Sequence, residues 1–369
     1  MPPSHCFLLI YGHFTVTSCL REVMVIVFNP FQPDRPHIAM PDINLIGAGK
    51  MAQAYAKVLK AKGLNFNVIG RGDESAKAFK DATGQSVLTG GLEKISASSP
   101  HALAPAAIIA LPVANLARAC AQLITAGTKR ILVEKPAGLN LAELKALEAQ
   151  AKQHDVDIRV ALNRRFLAAT LETERRVHED GGVTSFTFEF TEWANAITNT
   201  KHPAHVKQNW FLANSLHVVD LAFHLGGVPN ELFAVTDGAL DWHSRASRFV
   251  GAGHTADGAV FSYHADWNAP GRWGVEIMTA KHRYILRPME QLQVQDINKI
   301  AIEAATIDDA LDQDYKPGLF RMVEAFIEDK DAHRLPTIAT HSRRAHEIYT
   351  VMLPENAKQC ATPRHVKIE

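Results

Sequence analysis

The sequence lacks several features that would assign it to common classes of protein. It has four cysteines in 369 residues, and none of them forms a C-x-x-C pair. Disulfide scaffolds and zinc ribbons need paired cysteines, so we expect neither of them. We expect a reducing, cytoplasmic location instead. The formal net charge is zero, with 39 Lys+Arg against 39 Asp+Glu. Nucleic-acid binders usually carry a basic excess, so we expect no nucleic-acid partner.

Long apolar runs are also missing, including from residues 1–39. The two apolar runs there, 6–10 and 23–28, fall well short of the roughly 18–20 residues that a membrane helix needs. No Lys or Arg precedes the first run, as a secretory signal would require. We therefore expect no membrane partner. Residues 1–39 are interpreted as a leader, either an upstream start-site artefact or a loosely ordered extension.

What the sequence does contain, from residue 40 onward, is an alternation of short apolar segments and amphipathic helices. Strands are predicted at 43–46, 65–69, 107–111, 130–134 and 158–161, and helices at 50–62, 74–83, 116–126 and 141–154. This alternation is typical of βαβ units and a parallel sheet. We therefore predict a Rossmann dinucleotide-binding domain over residues 40–162.

The pattern changes after Gly181-Gly182. Strands are predicted at 183–192, 232–237, 259–265, 275–278, 283–286 and 292–295, and helices at 215–225, 319–328 and 343–353. Such segments predict a mostly antiparallel sheet with helices on one face. The fold class is thus α/β, and residues 163–369 are expected to form a substrate-binding and oligomerisation domain whose large sheet has one open face. Its exposed face predicts a homodimer or homotetramer, because large apolar patches seldom stay exposed.

A G-x-G-x-x-A motif runs from Gly47 to Ala52, directly after the first predicted strand. Gly47 permits a tight turn, Gly49 lets backbone N–H groups approach a pyrophosphate, and Ala52 allows close helix packing. Lys50 and Met51 lie inside the motif and are included among the cofactor-binding candidates. The motif's position between a strand and a helix makes it a dinucleotide fingerprint rather than a plain glycine turn.

The acidic residue that usually follows about 20 residues later, to bind the ribose hydroxyls, is absent. Counting from Gly49 leads to Arg71. An arginine there suits a 2′-phosphate, so the sequence predicts NADP(H) in preference to NAD(H). In the alternative, Arg71 is a solvated surface charge, and Asp73 or Glu74 meets the ribose.

Two further clusters carry candidate chemistry. Glu134-Lys135-Pro136 follows a predicted strand, where ligands bind in open α/β sheets. Lys135 can exchange a proton with a substrate hydroxyl if burial lowers its pKa, and Glu134 would orient Lys135 or the nicotinamide carboxamide. The residues after the preceding strand are expected to line the cofactor site: Leu111, Pro112 and Asn115.

On a predicted helix, His217, Asp220 and His224 are spaced to share one face. The pKa of histidine suits proton transfer by His217, and Asp220 would orient its imidazole. The same three residues could alternatively bind zinc, but we expect no metal.

Several motifs together resemble the glucose–fructose oxidoreductase / inositol dehydrogenase / MocA family over residues 42 to about 353. They are the glycine motif, Leu111-Pro112, Glu134-Lys135-Pro136, Asn163-Arg164-Arg165-Phe166 and His217-Val218-Val219-Asp220. The resemblance implies a Rossmann domain followed by an open-faced α/β domain. It also implies hydride transfer between nicotinamide and a sugar, polyol or related carbon centre, with Lys135 in the active site and His217 as the catalytic histidine.

The chain departs from this family at one position, four residues before His217. Many members carry Asp there, and this chain has Ala213. The proton must then pass to Lys135 or His217, or the reaction differs. Asn214 either hydrogen-bonds substrate or caps the helix.

Aromatic faces and hydrogen-bonding side chains suit a carbohydrate ring. The predicted substrate-binding residues are Arg164, Trp193, Trp210, Asn214 and His217. Arg164, Arg165 and Lys207 can meet a phosphate or diphosphate. In the alternative, the tryptophans belong to the core and the charges to the surface.

We therefore expect an oxidoreductase that acts on the secondary alcohol or ketone of a small-molecule carbohydrate: a sugar, polyol or sugar nucleotide. Two rival functions remain open. One is glycoside cleavage assisted by a tightly bound NAD that is transiently oxidised and reduced. The other is a non-catalytic NADP(H)-sensing protein that lost catalysis together with the missing Asp.

Overall fold

The computed structural model describes residues 43–98, 103–354 and 363–368, so the expectation for residues 1–39 lies outside the described part of the chain. Two sheets organise the described residues. The first is parallel and has six strands in the order β3-β2-β1-β4-β5-β6. Its strands are β1 (Ile43–Ile46), β2 (Phe66–Ile69), β3 (Val87–Leu88), β4 (Ala106–Ile109), β5 (Arg130–Glu134) and β6 (Asp157–Ala161).

The helices of this half of the chain follow the predicted alternation. They are α1 (Lys50–Ala61), α2 (Asp73–Thr83), α3 (Gly91–Ser98), α4 (Leu116–Thr125) and α5 (Leu141–His154). β1 and β4 are buried at every position, as expected of parallel strands covered by helices on both faces. The predicted Rossmann sheet is confirmed. β3 and α3 were not predicted. For β3 the reason is that a two-residue, partly exposed strand has no periodicity to detect.

The second sheet has nine strands in the order β14-β13-β12-β11-β7-β10-β9-β8-β15. Its first strands along the chain are β7 (Ser185–Glu189), β8 (Pro229–Asp237), β9 (Arg248–Thr255) and β10 (Val260–Asp266). The others are β11 (Gly274–Met278), β12 (His282–Leu286), β13 (Gln293–Asp296), β14 (Glu303–Ala304) and β15 (Arg364–Lys367). β7 and β10 pair in parallel, and the other neighbours pair antiparallel. The prediction of a mostly antiparallel sheet is therefore confirmed.

Helices cover one face of this sheet and connect it to the first domain. They are α6 (Ala168–Asp180), α7 (Ala194–Thr198), α8 (Ala204–Gln208), α9 (Leu216–Gly226), α10 (Ala310–Asp314), α11 (Leu319–Glu328), α12 (Ile338–Arg344) and α13 (Thr350–Met352). α9 packs against β7 and β11, where Phe223 lies edge-on to Phe186, Phe188 and Phe261. The burial of these rings fixes the helix that carries His217 over the sheet.

Two π-helical turns lie next to or within predicted helices. One spans Phe211–Ser215 and leads into α9. The other spans Ala345–Tyr349, so the helix predicted at 343–353 is divided between α12, this turn and α13. The predicted strand at 183–192 is shorter, at Ser185–Glu189.

β9 was missed because its glycines weaken the strand signal. The structure needs them: a Cβ on Gly251 would lie 2.3 Å from the Tyr263 ring, and one on Gly253 would lie 1.9 Å from the Glu231 carbonyl oxygen.

The last helices return to the first domain. α11 packs against α1, and its Leu319, Met322 and Phe326 share a buried cluster with Val58 and Leu59. α12 packs against α5. These contacts hold the loop before α11 beside the turn that follows β6, which positions part of the site described next.

Candidate active site

The carboxyl ends of β1, β2 and β4 surround a cleft of about 370 Å³. β1 lies between β2 and β4 in the strand order, so the connections leave it in opposite directions and open a crevice, where open α/β sheets bind ligands. Most of the predicted cofactor residues line this cleft: Gly47, Gly49, Arg71, Leu111, Pro112 and Asn115. The structure therefore brings them together.

The glycine motif fits a dinucleotide phosphate. Gly47 has a φ of 125°, and a Cβ there would lie 2.4 Å from the carbonyl oxygen of Ala110. Only glycine avoids that clash. Gly49 caps the twelve-residue helix α1, and no atom lies within 4 Å of the place its Cβ would take. The helix N-terminus thus faces open space, as pyrophosphate binding requires.

Three predicted residues of the motif lie on α1 outside the cleft lining. Lys50 is exposed, Met51 is half-buried and Ala52 is fully buried against the sheet. For Ala52 this matches the predicted close packing of helix and strand.

The far corner of the cleft is formed by Arg71, Arg118 and Glu93. Arg71 Nη2 lies 2.7 Å from Glu93 Oε1, and Arg118 Nη2 lies 3.2 Å from the same oxygen. Arg71 is exposed, with 68% of its side-chain surface accessible. Asp73 and Glu74, the alternative ribose ligands, do not line the cleft. Glu93 and Arg118 were missed because they lie on α3 and α4, distant in sequence from the second strand.

Lys135 lies immediately after β5 and reaches across to the start of α9. Its Nζ donates a hydrogen bond to the carbonyl oxygen of Ala213, at 2.5 Å. Burial lowers the pKa of Lys135 to about 8, against the opposing charges of Glu134 and Glu192 and with help from Arg164 and Lys316. A lysine in this state exchanges protons near neutral pH.

Glu134 already has a hydrogen-bond partner, because the hydroxyl of Tyr55 on α1 donates to its Oε1 at 2.7 Å. Burial raises the pKa of Glu134 above its usual value. Its charge acts on Lys135, which is consistent with the predicted supporting role. Tyr55 was not predicted, since nothing in a helical tyrosine indicates a partner 79 residues away.

His217 on α9 is held in a cationic environment. Burial lowers its pKa well below the usual value, and the positive charges of Lys135, Arg164 and Lys316 lower it further. Its Nδ1 is buried and has no hydrogen-bond partner among the described residues. Its ring lies 5.9 Å from that of Trp273. The imidazole is therefore neutral near pH 7 and has an unused polar atom.

The predicted role of Asp220 is wrong. Its two carboxylate oxygens accept hydrogen bonds from Arg165 Nη2 and Nε at 2.6 and 2.7 Å, and Arg344 Nη1 lies 3.2 Å away. These guanidinium groups outweigh burial and hold the pKa of Asp220 at about 2. Asp220 thus neutralises two arginines instead of orienting His217, and Arg165 is likewise not available to bind phosphate.

The alternative metal site is not assembled. His224 pairs with Glu174, its Nε2 lying 2.8 Å from the carboxylate, and Asp220 is occupied by arginines. Over the ranges that the structure describes, no three His, Cys, Asp or Glu side chains are grouped to hold an ion.

The predicted substrate residues have different environments. Arg164 Nη1 lies 3.3 Å from Glu290, while its Nε is buried and has no hydrogen-bond partner in the described part of the chain. Trp193 is 59% exposed and lies beneath the guanidinium of Arg272, at 4.7 Å from the ring centroid. Trp210 is buried and packs edge-on against His202 and Trp242, as in the core alternative.

Asn214 does not cap α9, whose N-cap is Ser215, and substrate binding by Asn214 stays a prediction. Its Nδ2 donates to both carboxylate oxygens of Glu192, at 3.0 and 3.1 Å, and Ser215 Oγ donates to Glu192 Oε1 at 2.8 Å. Lys207, the other predicted phosphate ligand, donates to the carbonyl oxygen of Thr198.

Glu192 is a residue that the sequence did not single out. Only 2% of its surface is exposed, and burial raises its pKa. It lies just beyond β7, close enough for its charge to act on Lys135, and Arg272 Nη1 is 3.7 Å from its Oε2. Its only sequence signal is its position in the predicted strand 183–192.

Comparisons with known proteins agree with this geometry. Residues 42–162 match the Gfo/Idh/MocA oxidoreductase family with an NAD-binding Rossmann fold. Among solved structures, levoglucosan dehydrogenase in complex with NADH and L-sorbose superposes with a TM-score of 0.69 at 19% identity, covering 89% of this chain and 98% of that one. No curated protein matches by sequence.

Two further structures share the fold. An Agrobacterium radiobacter oxidoreductase in complex with NAD+, L-tartaric acid and magnesium gives a TM-score of 0.69 at 15% identity, covering 89% of this chain and 98% of that one. UDP-N-acetylglucosamine 3-dehydrogenase from Acidithiobacillus ferrooxidans gives 0.62 at 18% identity, with coverages of 83% and 94%. Within the described ranges, no helix is both long and apolar enough to cross a membrane. The family match agrees, over residues 42–162, with the resemblance and the oxidoreductase class predicted from the sequence.

Proposed function

Because residues 42–162 match the Gfo/Idh/MocA oxidoreductase family with its NAD-binding Rossmann fold, we propose that the protein transfers a hydride between nicotinamide and a secondary alcohol or ketone of a sugar, polyol or sugar nucleotide. One observation carries this proposal: a lysine whose pKa is lowered to about 8 lies at the carboxyl end of β5, and β5 pairs with β4, whose carboxyl end lines the cleft that holds the glycine motif. Alcohol oxidation needs such a proton acceptor.

Lys135 is the group that exchanges the proton. When bound, the nicotinamide accepts or donates the hydride. In the oxidative direction the neutral amine of Lys135 takes the hydroxyl proton, and in the reductive direction its ammonium returns it. At pH 7 and a pKa of about 8, about a tenth of the lysine is neutral, which is sufficient for a general base.

His217 binds the substrate as a neutral imidazole. Its lowered pKa makes it a weak proton acceptor, but its unpaired Nδ1 leaves a polar atom for a hydroxyl of the substrate. Between the two proton-transfer candidates, the charges therefore favour Lys135, with His217 holding the reacting oxygen in place.

The cofactor is NADP(H) in preference to NAD(H). Arg71 and Arg118 place two guanidinium groups in the far corner of the cleft against one carboxylate, Glu93. A 2′-phosphate there would replace Glu93 as the partner of Arg71. Dissociation constants for the two cofactors test this: Arg71→Ala should weaken NADPH binding about tenfold and NADH binding far less. Tighter binding of NADH by the wild type would overturn the preference.

The protein forms a homodimer or homotetramer through the uncovered face of the second sheet. Phe233, Val250 and Val260 are 45%, 52% and 47% exposed on adjacent strands β8, β9 and β10. An apolar patch of this kind supports self-association. Sedimentation of the wild type and of Val250→Lys tests it, and a monomeric wild type would contradict it. A cytoplasmic location stays a prediction.

The activity itself is tested by following absorbance at the NADPH band with a panel of sugars, polyols and sugar nucleotides. Lys135→Met keeps the side chain's length and removes its proton chemistry, and His217→Asn is the second variant. Both should lose turnover while still binding cofactor, measured by quenching of protein fluorescence. Full activity in either variant would contradict its assignment.

A further inference from the structure

Two tryptophans and one arginine form a stack beside the candidate active site. The guanidinium of Arg272 lies over both indole rings, 4.7 Å from the Trp193 centroid and 4.3 Å from the Trp273 centroid. Trp273 is 7% exposed, whereas Trp193 is 59% exposed. This arginine–tryptophan stack, made of Trp193, Arg272 and Trp273, therefore joins a buried ring to a ring that solvent reaches.

The buried end of the stack contacts the histidine that is predicted to bind substrate. The Trp273 ring lies 5.9 Å from the His217 ring, centroid to centroid. In the middle of the stack, Arg272 Nη1 lies 3.7 Å from Oε2 of the buried Glu192. The contacts thus run from His217 through Trp273 and Arg272 to Trp193.

The exposed end of the stack is tied to the backbone that Lys135 contacts. Trp193 directly follows Glu192, whose carboxylate accepts a hydrogen bond from Asn214 Nδ2 at 3.0 Å. Asn214 in turn directly follows Ala213, and the carbonyl oxygen of Ala213 accepts the hydrogen bond from Lys135. Direct contacts at both ends therefore place the stack beside the two residues that are proposed to handle the substrate hydroxyl.

The exposed indole is held in a fixed orientation. Its Nε1 donates a hydrogen bond to the carbonyl oxygen of Gly271 at 3.0 Å, and Arg272 covers one face of the ring. Gly271 is itself packed against the end of β7, since a Cβ there would lie 2.3 Å from Glu189 Oε1. The exposed surface of Trp193 therefore includes the face opposite Arg272. A flat aromatic face that is already oriented binds a ring at little cost in conformational entropy.

We propose that the open face of Trp193 stacks with a second ring of the substrate, beyond the sugar ring that reacts at Lys135 and His217. The Trp273 ring and the Arg272 guanidinium separate His217 from Trp193 in the chain of contacts, so a substrate that reaches both ends needs two rings. This inference rests on the proposed dehydrogenase function and narrows its substrate class to glycosides and sugar nucleotides. The second ring is a sugar or a nucleobase, because both present a face that stacks on indole.

Matched substrate sets test the proposal with full-length protein and oxidised cofactor. Each set contains a monosaccharide, its 1-phosphate, a disaccharide that contains it and its uridine diphosphate derivative. The 1-phosphate adds charge without a second ring, and the last two members distinguish a second sugar from a nucleobase. We expect one two-ring member to exceed both one-ring members at least tenfold in kcat/KM, mainly through KM. Equal kcat/KM across the set would overturn the proposal.

Variants of the stack should reduce this two-ring preference. Trp193→Ala should reduce it about tenfold, and Trp193→Phe should keep most of it, because a phenyl ring still stacks. Arg272→Lys keeps the positive charge near Glu192 and removes the flat group against Trp193, so it should reduce the preference by a smaller factor. A preference that survives unchanged in Trp193→Ala would refute the assignment of the second ring to this indole.

Ile297→Ala serves as the matched control, because it also truncates an exposed apolar side chain. Ile297 is 63% exposed, and its backbone N–H donates to the carbonyl oxygen of Lys281, beyond the end of β11 that is opposite Gly274 and the stack. It should leave the two-ring preference unchanged. An equal loss in Ile297→Ala and Trp193→Ala would contradict the proposal.

Binding is measured separately from turnover, by calorimetric titration of the same compounds into protein loaded with reduced cofactor, which cannot oxidise an alcohol. Two-ring binding that Trp193→Ala weakens, without turnover of any sugar, would refute the dehydrogenase function and support the stacking site. Turnover that Trp193→Ala lowers equally for one-ring and two-ring substrates would refute the stacking site alone. Sedimentation tests the other possible occupant: an oligomer that dissociates in Trp193→Ala would mean that a second copy of the chain covers this indole, and would overturn the proposal.

Discussion

The pKa of Lys135 makes the pH profile the sharpest test of the proposed chemistry. An ordinary lysine with a pKa of 10.5 would be neutral in only about 0.03% of molecules at pH 7. At a pKa of about 8 the neutral fraction is about a tenth, so burial supplies about 300-fold more of the reactive base. For oxidation, log kcat/KM should rise by about one per pH unit up to pH 8 and then level off.

Two variants should move the rising limb of this pH profile in opposite directions. The positive charge of Lys316 lowers the pKa of Lys135, so Lys316→Gln should shift the limb to higher pH. The negative charge of Glu192 raises that pKa, so Glu192→Gln should shift the limb to lower pH. Gln removes the charge of Glu192 and keeps its shape and one of the two acceptor oxygens that Asn214 and Ser215 use.

The assay is the initial rate of NADPH formation at subsaturating sugar between pH 5.5 and 10. Lys135→Met should lower kcat/KM by about 10²–10⁴ and abolish the limb. A limb that persists in Lys135→Met would refute the assignment of the proton to this lysine. If the rising limb lies at the same pH in Lys316→Gln and Glu192→Gln, the electrostatic account is refuted. Lys152→Gln, at an exposed lysine in the last turn of α5, is the control for a charge change elsewhere.

Other predictions concern the cofactor turn and the buried ion pair. Gly47→Ala should abolish cofactor binding in an equilibrium titration, because its Cβ would lie 2.4 Å from the Ala110 carbonyl oxygen, and wild-type affinity would contradict this. Asp220→Asn should destabilise the fold by about 3–5 kcal/mol in urea unfolding, since it leaves Arg165 buried beside a neutral amide. The pKa of Asp220 is lowered from 3.8 to about 2, so its stabilisation is present above pH 4 and is lost as pH falls towards 2. A variant with wild-type acid sensitivity would argue against this assignment.

The first domain could be predicted well because its signals are local. β5 and α5 lie where the sequence predicted them, since the signal for each is a local pattern of apolar residues bounded by polar ones. The fingerprint from Gly47 to Ala52 needs only a strand before it and a helix after it. β9 could not be found in this way, because close approach of Tyr263 and Glu231 demands glycines where a strand signal would need larger residues.

The sequence predicted the site only where one local motif carries the signal. The spacing of His217 and Asp220 correctly places them on one helix, but spacing cannot show that Arg165, 55 residues earlier, donates its hydrogen bonds to the Asp220 carboxylate. Glu192 and Lys316 were missed because each depends on a contact between distant elements. Their roles come from packing that brings β7 and the loop before α11 to the end of β5.

The missing acid four residues before His217 has a structural counterpart. Ala213 lies in the π-helical turn before α9, and its carbonyl oxygen accepts the hydrogen bond from Lys135. The next two side chains, Asn214 and Ser215, donate hydrogen bonds to the carboxylate of Glu192, which lies just beyond β7. A backbone oxygen and a buried carboxylate thus act on Lys135 where a side-chain acid would otherwise stand.

This arrangement bears on the rival interpretation as a cofactor sensor. A chain that had lost catalysis with its acid would have no need to keep a lysine with a pKa of about 8 beside the cofactor cleft. Burying Lys135 and Glu192 costs free energy that an inert pair of apolar residues would not. Lys135→Met should therefore raise the midpoint of urea unfolding while it removes turnover, as expected where stability is given up for function. A variant that is both inactive and less stable than the wild type would indicate that Lys135 serves the fold instead.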